Sequence, residues 1–215
     1  MSRFRGYGAA RALVHLALLL FGLASAPAQA AGPLIWAFGD SLTAGYGLPP
    51  ADGFTSHLER ALRKAGVPAT VRNGGISGDT AAQGRARLLW GLRGLGAKPD
   101  LVIVELGAND MLRGLPPAQA AGNLDQIVAT LTQRHIRVLI AGMKASPNLG
   151  ADYRQAFDGI YPQLAGRYRA RLYPFFLDGI AGNRALIQAD GLHPNPKGVA
   201  IIVGRMLPVV RQALR

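Results

Sequence analysis

Apolar residues along this chain fall into two alternating patterns, and the alternation predicts the fold class. Short, nearly continuous apolar runs at residues 34–38, 69–73, 101–106, 136–141 and 172–177 read as five strands. The third run, Leu-Val-Ile-Val-Glu-Leu, is what a strand buried on both faces looks like. Between the runs the apolar spacing changes to a helical period. Leu58, Ala61, Leu62 and Ala65 follow the i, i+3, i+4, i+7 rule, and Leu124, Ile127, Val128 and Leu131 share a face. Tyr153, Phe157, Ile160, Tyr161, Leu164 and Tyr168 form an aromatic stripe of the kind that fills a core, and a last helix is expected over residues 197–214, kinked or interrupted at Pro208. Strands alternating with helices predict a parallel sheet with helices packed on its faces.

The first thirty residues break the pattern. Arg3, Arg5 and Arg11 precede an apolar run from Ala12 to Leu23, and small residues follow, ending in Ala28-Gln29-Ala30. That is the layout of a cleaved secretory leader with an A-x-A site, and the apolar run is short for a membrane span. The expected organisation is a signal peptide over residues 1–30 and one domain over residues 31–215, exported to the periplasm or secreted. An uncleaved anchor and a cut after Ala26 are the other readings, the latter placing Pro27 just past the cut.

Composition narrows the function classes. With 49% hydrophobic and 17% charged residues, the chain is neither disordered nor supercharged. Its formal net charge of +12 falls to +9 without the leader, because residues 1–30 carry three arginines and no acid. The basic residues are scattered and no run of five or six occurs, so a nucleic-acid partner is not expected. The charge reads first as a solvated cationic surface; transient contact with anionic lipid headgroups or polyanionic envelope material is the sharper alternative. There is no cysteine, which excludes disulfides, a thiol nucleophile and thiolate metal sites.

The polar residues that remain collect after strands. In open α/β sheets ligands bind at the carboxyl ends of the strands. The first strand runs into Gly39-Asp40-Ser41-Leu42, the second into a glycine-rich loop that includes Ser77-Gly78-Asp79-Thr80, and the third into Gly107-Ala108-Asn109-Asp110. The fifth leads on to Asp190-Gly191-Leu192-His193-Pro194. A serine hydroxyl is a poor nucleophile until a base takes its proton. Of the three histidines beyond the leader, His57 and His135 have no aspartate at a convincing spacing, whereas His193 follows Asp190 by three residues in a turn. That spacing lets one ring nitrogen bond the carboxylate while the other faces Ser41. A developing oxyanion needs fixed donors, which the Asn109 amide and the backbone N–H groups of Ser41 and Gly78 can supply. Taken singly, these residues also read as a helix N-cap, turn residues and a loop histidine; taken together they are the inventory of a hydrolase. Asp40, Asp79 and Asp110 read as structural, capping helices or bracing loops, and Glu105 as a hydrogen-bonded acid at a strand's end.

In this order and spacing, the four blocks around Ser41, Gly78, Asn109 and Asp190–His193 resemble those of the SGNH (GDSL) hydrolase superfamily. Within it the chain is similar to the bacterial periplasmic arylesterase, acyl thioesterase and lysophospholipase group. The resemblance covers residues from about 34 to the C-terminus. It implies a flavodoxin-like three-layer α/β/α sandwich on a five-stranded parallel sheet. It also implies Ser41 as nucleophile, Asp190 and His193 as the rest of the triad, Ser41, Gly78 and Asn109 as the oxyanion hole, and neither metal nor organic cofactor. Ala108 departs from the pattern, standing where relatives often have glycine. The segment 142–153 is the expected wall of an acyl pocket, with Met143, Pro147 and Leu149 suited to an apolar chain. The expected partner is a small acyl ester or thioester; the oligomeric state is not read from the sequence. An α/β-hydrolase lipase would carry G-x-S-x-G, but Thr43 stands in place of the second glycine. A carbohydrate O-acetylesterase would place stacking aromatics at the rim, and a non-catalytic envelope binding protein would have lost part of the triad.

Overall fold

Strand β1 (Leu34–Gly39) is the centre of the molecule because almost every residue in it is buried. In the computed structural model, which describes residues 32–215, it pairs in parallel with β2 (Thr70–Gly75) on one side and β3 (Leu101–Glu105) on the other. Strands β4 (Arg137–Ala141) and β5 (Arg171–Tyr173) extend the sheet beyond β3, giving the order β2-β1-β3-β4-β5 with every pairing parallel. The leader assigned to residues 1–30 lies outside the described residues.

Eight α-helices cover the sheet among the described residues: α1 (Ser41–Ala44), α2 (Phe54–Lys64), α3 (Ala81–Gly94), α4 (Ala108–Leu112), α5 (Pro117–Gln133), α6 (Ala151–Asp158), α7 (Ile160–Tyr168) and α8 (Pro196–Ala213). Helices α2 and α8 pack together on one face, and α3, α5 and α7 form a row on the other. The result is the three-layer α/β/α sandwich of flavodoxin-like order. The helices bury the stripes that predicted them: Leu58 and Leu62 on α2 and Leu124, Ile127, Val128 and Leu131 on α5 are all buried. Each such side chain contributes about 1.5–3 kcal/mol, and a core of this extent needs no disulfide.

Three elements differ from the sequence pattern. The aromatic stripe at 153–168 is carried by two helices, broken at Gly159. Helix α8 runs unbroken through Pro208. The fifth strand is shorter than its apolar run and ends at Tyr173. Pro174 has no N–H to give a sheet, and the chain leaves β5 there while the Phe176 N–H bonds the Gly142 carbonyl at 2.8 Å. Phe176 is apolar because it is fully buried against Phe54, with ring centroids 5.1 Å apart, and not because it belongs to the sheet.

The strand order reverses between β1 and β3, and the crevice at such a switch point is where α/β folds place their ligands. Gly39 lies there, in register with Gly75 on one side and Glu105 on the other. It has to be glycine: a Cβ would come 2.2 Å from Thr43 Oγ1 and 2.5 Å from the Glu105 carbonyl.

Candidate active site

The nucleophile turn is built from β1 outward. Asp40 caps α1, its Oδ1 accepting the Leu42 N–H at 3.0 Å. Ser41 is therefore the first residue of the helix and leaves the capping to its neighbour. Its hydroxyl lies 2.8 Å from Nε2 of His193. On the other side of the ring, Nδ1 lies 2.7 Å from Asp190 Oδ2. The second carboxylate oxygen, Asp190 Oδ1, accepts the backbone N–H groups of Leu192 at 2.9 Å and His193 at 3.0 Å. The backbone donors of His193 and Leu192, followed by the imidazole, hold the Asp190 carboxyl down at about 2. The aspartate therefore stays ionised, Nδ1 carries the hydrogen it donates to Oδ2, and Nε2 is left as acceptor for the serine proton.

The histidine loop is held by residues not singled out in the sequence. Gln188 gives its Nε2 hydrogens to the carbonyls of Tyr46 (2.8 Å) and Pro194 (3.0 Å), tying the loop after α1 to the loop that carries His193. Its own N–H bonds the His193 carbonyl at 2.7 Å. The Tyr46 ring lies 4.6 Å from the imidazole, centroid to centroid. His57, on α2, comes within 4.0 Å of Asp52, and His135 occupies the turn between α5 and β4; neither approaches Ser41 through any hydrogen bond of the described residues.

Asn109 opens α4 from a left-handed Gly107, where a Cβ would strike the Tyr161 hydroxyl at 2.4 Å. Ala108 sits buried in the first turn of that helix without disturbing it. The Asn109 Nδ2 lies 3.0 Å from Asp40 Oδ2 and 3.1 Å from the Asp79 carbonyl, so one side chain staples the nucleophile turn to the loop of Gly78. Gly78 adopts φ +86°, and its carbonyl accepts Arg113 Nη2 at 2.7 Å. The backbone N–H groups of Ser41 and Gly78 have no acceptor among the described residues, which leaves both free to donate.

Beneath these donors lies a buried acid pair. Glu105 is 1% exposed and Asp40 fully buried. Glu105 Oε2 accepts the Thr43 hydroxyl at 2.8 Å and the Asp40 N–H at 3.3 Å, which brings the two acidic residues side by side. Burial, and then the charge of Asp40, push the Glu105 carboxyl well above the ordinary range; burial likewise raises Asp40. Ionising both would bury two neighbouring negative charges, and a carboxyl pair in that position relieves the repulsion by keeping a proton. Retaining one proton is the lower-energy state. Glu105 keeps it: burial raises its carboxyl well above the ordinary range, and both Asp40 oxygens accept hydrogen bonds, from Leu42 N–H and Asn109 Nδ2, whereas only one oxygen of Glu105 does. The buried Glu105 Oε1, which no donor faces, is the oxygen suited to carry it.

Arg87 completes the frame from α3. Its guanidinium pairs with Asp79, donates to the carbonyls of Gly74 and Gly39 at 2.9 Å each, and covers the Phe38 ring at 4.3 Å. The signal available in the sequence was its place on the buried face of α3, beside Gly84 and Leu88. Of the aspartates expected to be structural, Asp40 caps α1, Asp79 pairs with Arg87, and Asp110 Oδ2 accepts the first N–H of α3 at 2.7 Å.

Beside the triad, a cavity of about 980 Å³ reaches from Asp190 and Leu192 to Met111, Met143, Pro147 and Phe175. Two of the three residues assigned to an acyl wall, Met143 and Pro147, line it. Leu149 does not; it ends a short 3₁₀ turn (Pro147–Leu149) and packs, partly buried, against the core. Trp36 is buried in β1, and Trp90 stands exposed on α3, about two turns beyond the end of the helix that meets the site.

A serine, an imidazole and an ionised carboxylate in hydrogen-bonded series, beside free backbone donors and an apolar cavity, are the apparatus of a serine hydrolase. Comparison with known proteins places the chain more narrowly. The GDSL-like Lipase/Acylhydrolase family matches residues 37–201, and the chain belongs to that family. It is 41% identical over 182 residues to an arylesterase of Vibrio mimicus, covering 85% of this chain and 90% of that one. It is 36% identical over 181 residues to the thioesterase 1/protease 1/lysophospholipase L1 of Escherichia coli strain K12, covering 84% of each. The crystal structure of the SGNH-hydrolase family esterase AlinE4 superposes with a TM-score of 0.73 at 49% identity, covering 86% of this chain and 97% of the other. The chain is an ester-bond hydrolase of this family, built on a five-stranded parallel sheet.

Proposed function

We propose that this hydrolase cleaves aryl esters and acyl thioesters, and lysophospholipids where their chains fit, through an acyl-enzyme on Ser41. The observation that carries the reading is the series from Ser41 Oγ through His193 to Asp190, at 2.8 and 2.7 Å. Ser41 Oγ attacks the carbonyl carbon while Nε2 takes its proton. The tetrahedral oxyanion is met by the N–H groups of Ser41 and Gly78 and by the Asn109 amide. Both Asn109 hydrogens already have acceptors, so the oxyanion shares one of them in a three-centre bond. Collapse returns the proton from Nε2 to the leaving alkoxide, phenoxide or thiolate. A water molecule, deprotonated at the same nitrogen, then frees the carboxylic acid and regenerates the serine.

The acyl chain occupies the cavity past Met143 and Pro147, whose apolar walls hold chains of various lengths with weak discrimination. Hydrolysis of p-nitrophenyl esters of increasing acyl length, with Ser41→Ala measured beside the wild type, tests the reading. Turnover that survives in the variant would overturn it.

Residues 1–30 act, in this reading, as a secretory leader, and the enzyme works in the periplasm or outside the cell. The support is the charged–apolar–small layout of that segment. Amino-terminal sequencing of the exported protein is expected to begin at Ala31; a chain that still begins at Met1 would refute cleavage.

A further inference from the structure

Six large apolar side chains are well exposed among the described residues, and four of them surround the catalytic residues. Tyr46 (53% exposed) follows the nucleophile helix, Ile76 (45%) follows β2, Leu112 (54%) ends the helix of Asn109, and Leu192 (49%) stands between Asp190 and His193. They come from four separate segments of the chain, yet contacts bring them to one rim. Tyr46 lies on the His193 ring, Leu112 and Leu192 face the same cavity, and the Ile76 N–H bonds the Gly39 carbonyl at the foot of the nucleophile turn. Apolar residues gathered this way on a monomer's surface mark a place where something else binds.

The charges at the same rim say what. Lys144 and Arg184 line the cavity, and Arg113 reaches over to the Gly78 carbonyl. None of the three has a carboxylate within 4.0 Å among the described residues. The aspartates of these loops are occupied: Asp190 by His193, Asp40 by Asn109, Asp79 by Arg87 and Asp110 by the start of α3. The rim thus offers apolar tips and unmatched positive charge.

We propose that this rim docks on an anionic phospholipid bilayer. Tyr46, Ile76, Leu112 and Leu192 enter the boundary between headgroups and acyl chains, while Arg113, Lys144 and Arg184 face the lipid phosphates. That the mouth then opens toward Ser41 rests on the esterase reading; the docking itself does not. Apolar insertion combined with cation–phosphate attraction is how peripheral proteins hold to such surfaces, and neither component alone is strong.

Sedimentation with sucrose-loaded vesicles of phosphatidylcholine, with or without phosphatidylglycerol, tests the proposal. The protein is expected to bind the anionic vesicles and to be released by salt, with each Gln replacing Arg113, Lys144 or Arg184 weakening partition about fivefold. Equal binding to neutral vesicles, or no binding by folded wild type, would overturn it. The remaining exposed pair, Leu89 and Trp90 on α3, provides the control: Trp90→Ser is expected to leave binding unchanged, and loss of binding there would move the docking face away from the rim. Because the chain has no cysteine, Ile76→Cys and Trp90→Cys can each carry one polarity-sensitive dye. A blue shift on anionic vesicles is expected only at position 76, and a shift at position 90 alone contradicts the proposal even if the charge variants fold poorly. Hydrolysis of a short, soluble p-nitrophenyl ester by the same preparation keeps the readings apart. Docking without turnover would count against the esterase reading, and turnover without docking against the rim.

Discussion

Ser41 stands between two halves of a site that are held by different physics. On one side, Asp190 and His193 sit on a short exposed turn, three residues apart, and the aspartate is fixed by two backbone N–H groups of that same turn. On the other side, Asp40, Glu105, Asn109 and Arg87 are drawn from the cap of α1, from β3, from α4 and from α3, and are largely buried. The first half needs only local geometry. The second needs a proton retained on Glu105, a guanidinium shared among three acceptors and an amide stapling two loops. The exposed half can thus move a proton at little structural cost, whereas the buried half serves by not moving: in the proposed mechanism it fixes the donors that an oxyanion would meet.

The comparison can be broken most sharply at the triad. Ser41→Ala and His193→Ala are each expected to lower kcat by more than about 10⁴-fold, with thermal unfolding little changed, since neither residue carries the buried frame. A large fall in melting temperature would show that the two halves are not separable. Next in size, Asn109→Ala is expected to cost about 10²–10³ in kcat. A loss below about fivefold would make the residue a staple only.

Glu105 sharpens the comparison further. Glu105→Gln keeps a neutral group able to donate to Asp40, and kcat is expected to stay within about threefold. Glu105→Ala opens a cavity and strands Asp40 and Thr43, at about 2–4 kcal/mol of stability. If Gln were as damaging as Ala, the ionised form would be the one required. The pH dependence carries a sign: the folded-state value of Glu105 is raised, so its stabilisation is complete below the ordinary glutamate range and is lost as pH climbs through the raised value. Denaturant melts of the wild type are therefore expected to weaken on the alkaline side, and Glu105→Gln to weaken less.

The smallest effect belongs to the exposed half. Asp190 is depressed to about 2, so its contribution is present above about 4 and disappears as pH falls toward 2. Solvent screening keeps that contribution below about 1 kcal/mol. Acid melts of wild type and Asp190→Asn are expected to differ by no more than this, and a larger gap would place Asp190 in the structural frame.

The exposed half was legible in the sequence because it is local. A carboxylate and an imidazole three residues apart within Asp-Gly-Leu-His-Pro define their own turn, and strands buried on both faces announce themselves by unbroken apolar runs. Gly78 and Asn109 were legible as candidate oxyanion donors because each follows a strand, and the family pattern implies the same roles. The buried half was not legible in this way. Glu105 read as a hydrogen-bonded acid at a strand's end, but its partners Thr43 and Asp40 lie 62 and 65 positions away and only folding identified them. Arg87 was one of the scattered basic residues, because the Gly39 carbonyl it holds lies 48 positions away in the sequence and only folding brings the two together. Leu149 was placed on the acyl wall by its apolar character, but the turn at Pro147–Leu149 packs it against the core.

The sequence alone determined the periodicities, hence five strands in a parallel α/β order, and it supplied the local turns that present Ser41 and pair Asp190 with His193. Only the tertiary structure decided which distant groups share a proton, which arginine closes the strand ends, where the chain leaves β5, and that four exposed apolar side chains from separate loops meet at one rim. The physical reason is range. Backbone periodicity and turn geometry act over a few residues and leave a trace in neighbouring letters, whereas burial and electrostatic neutralisation act between groups that only folding brings together.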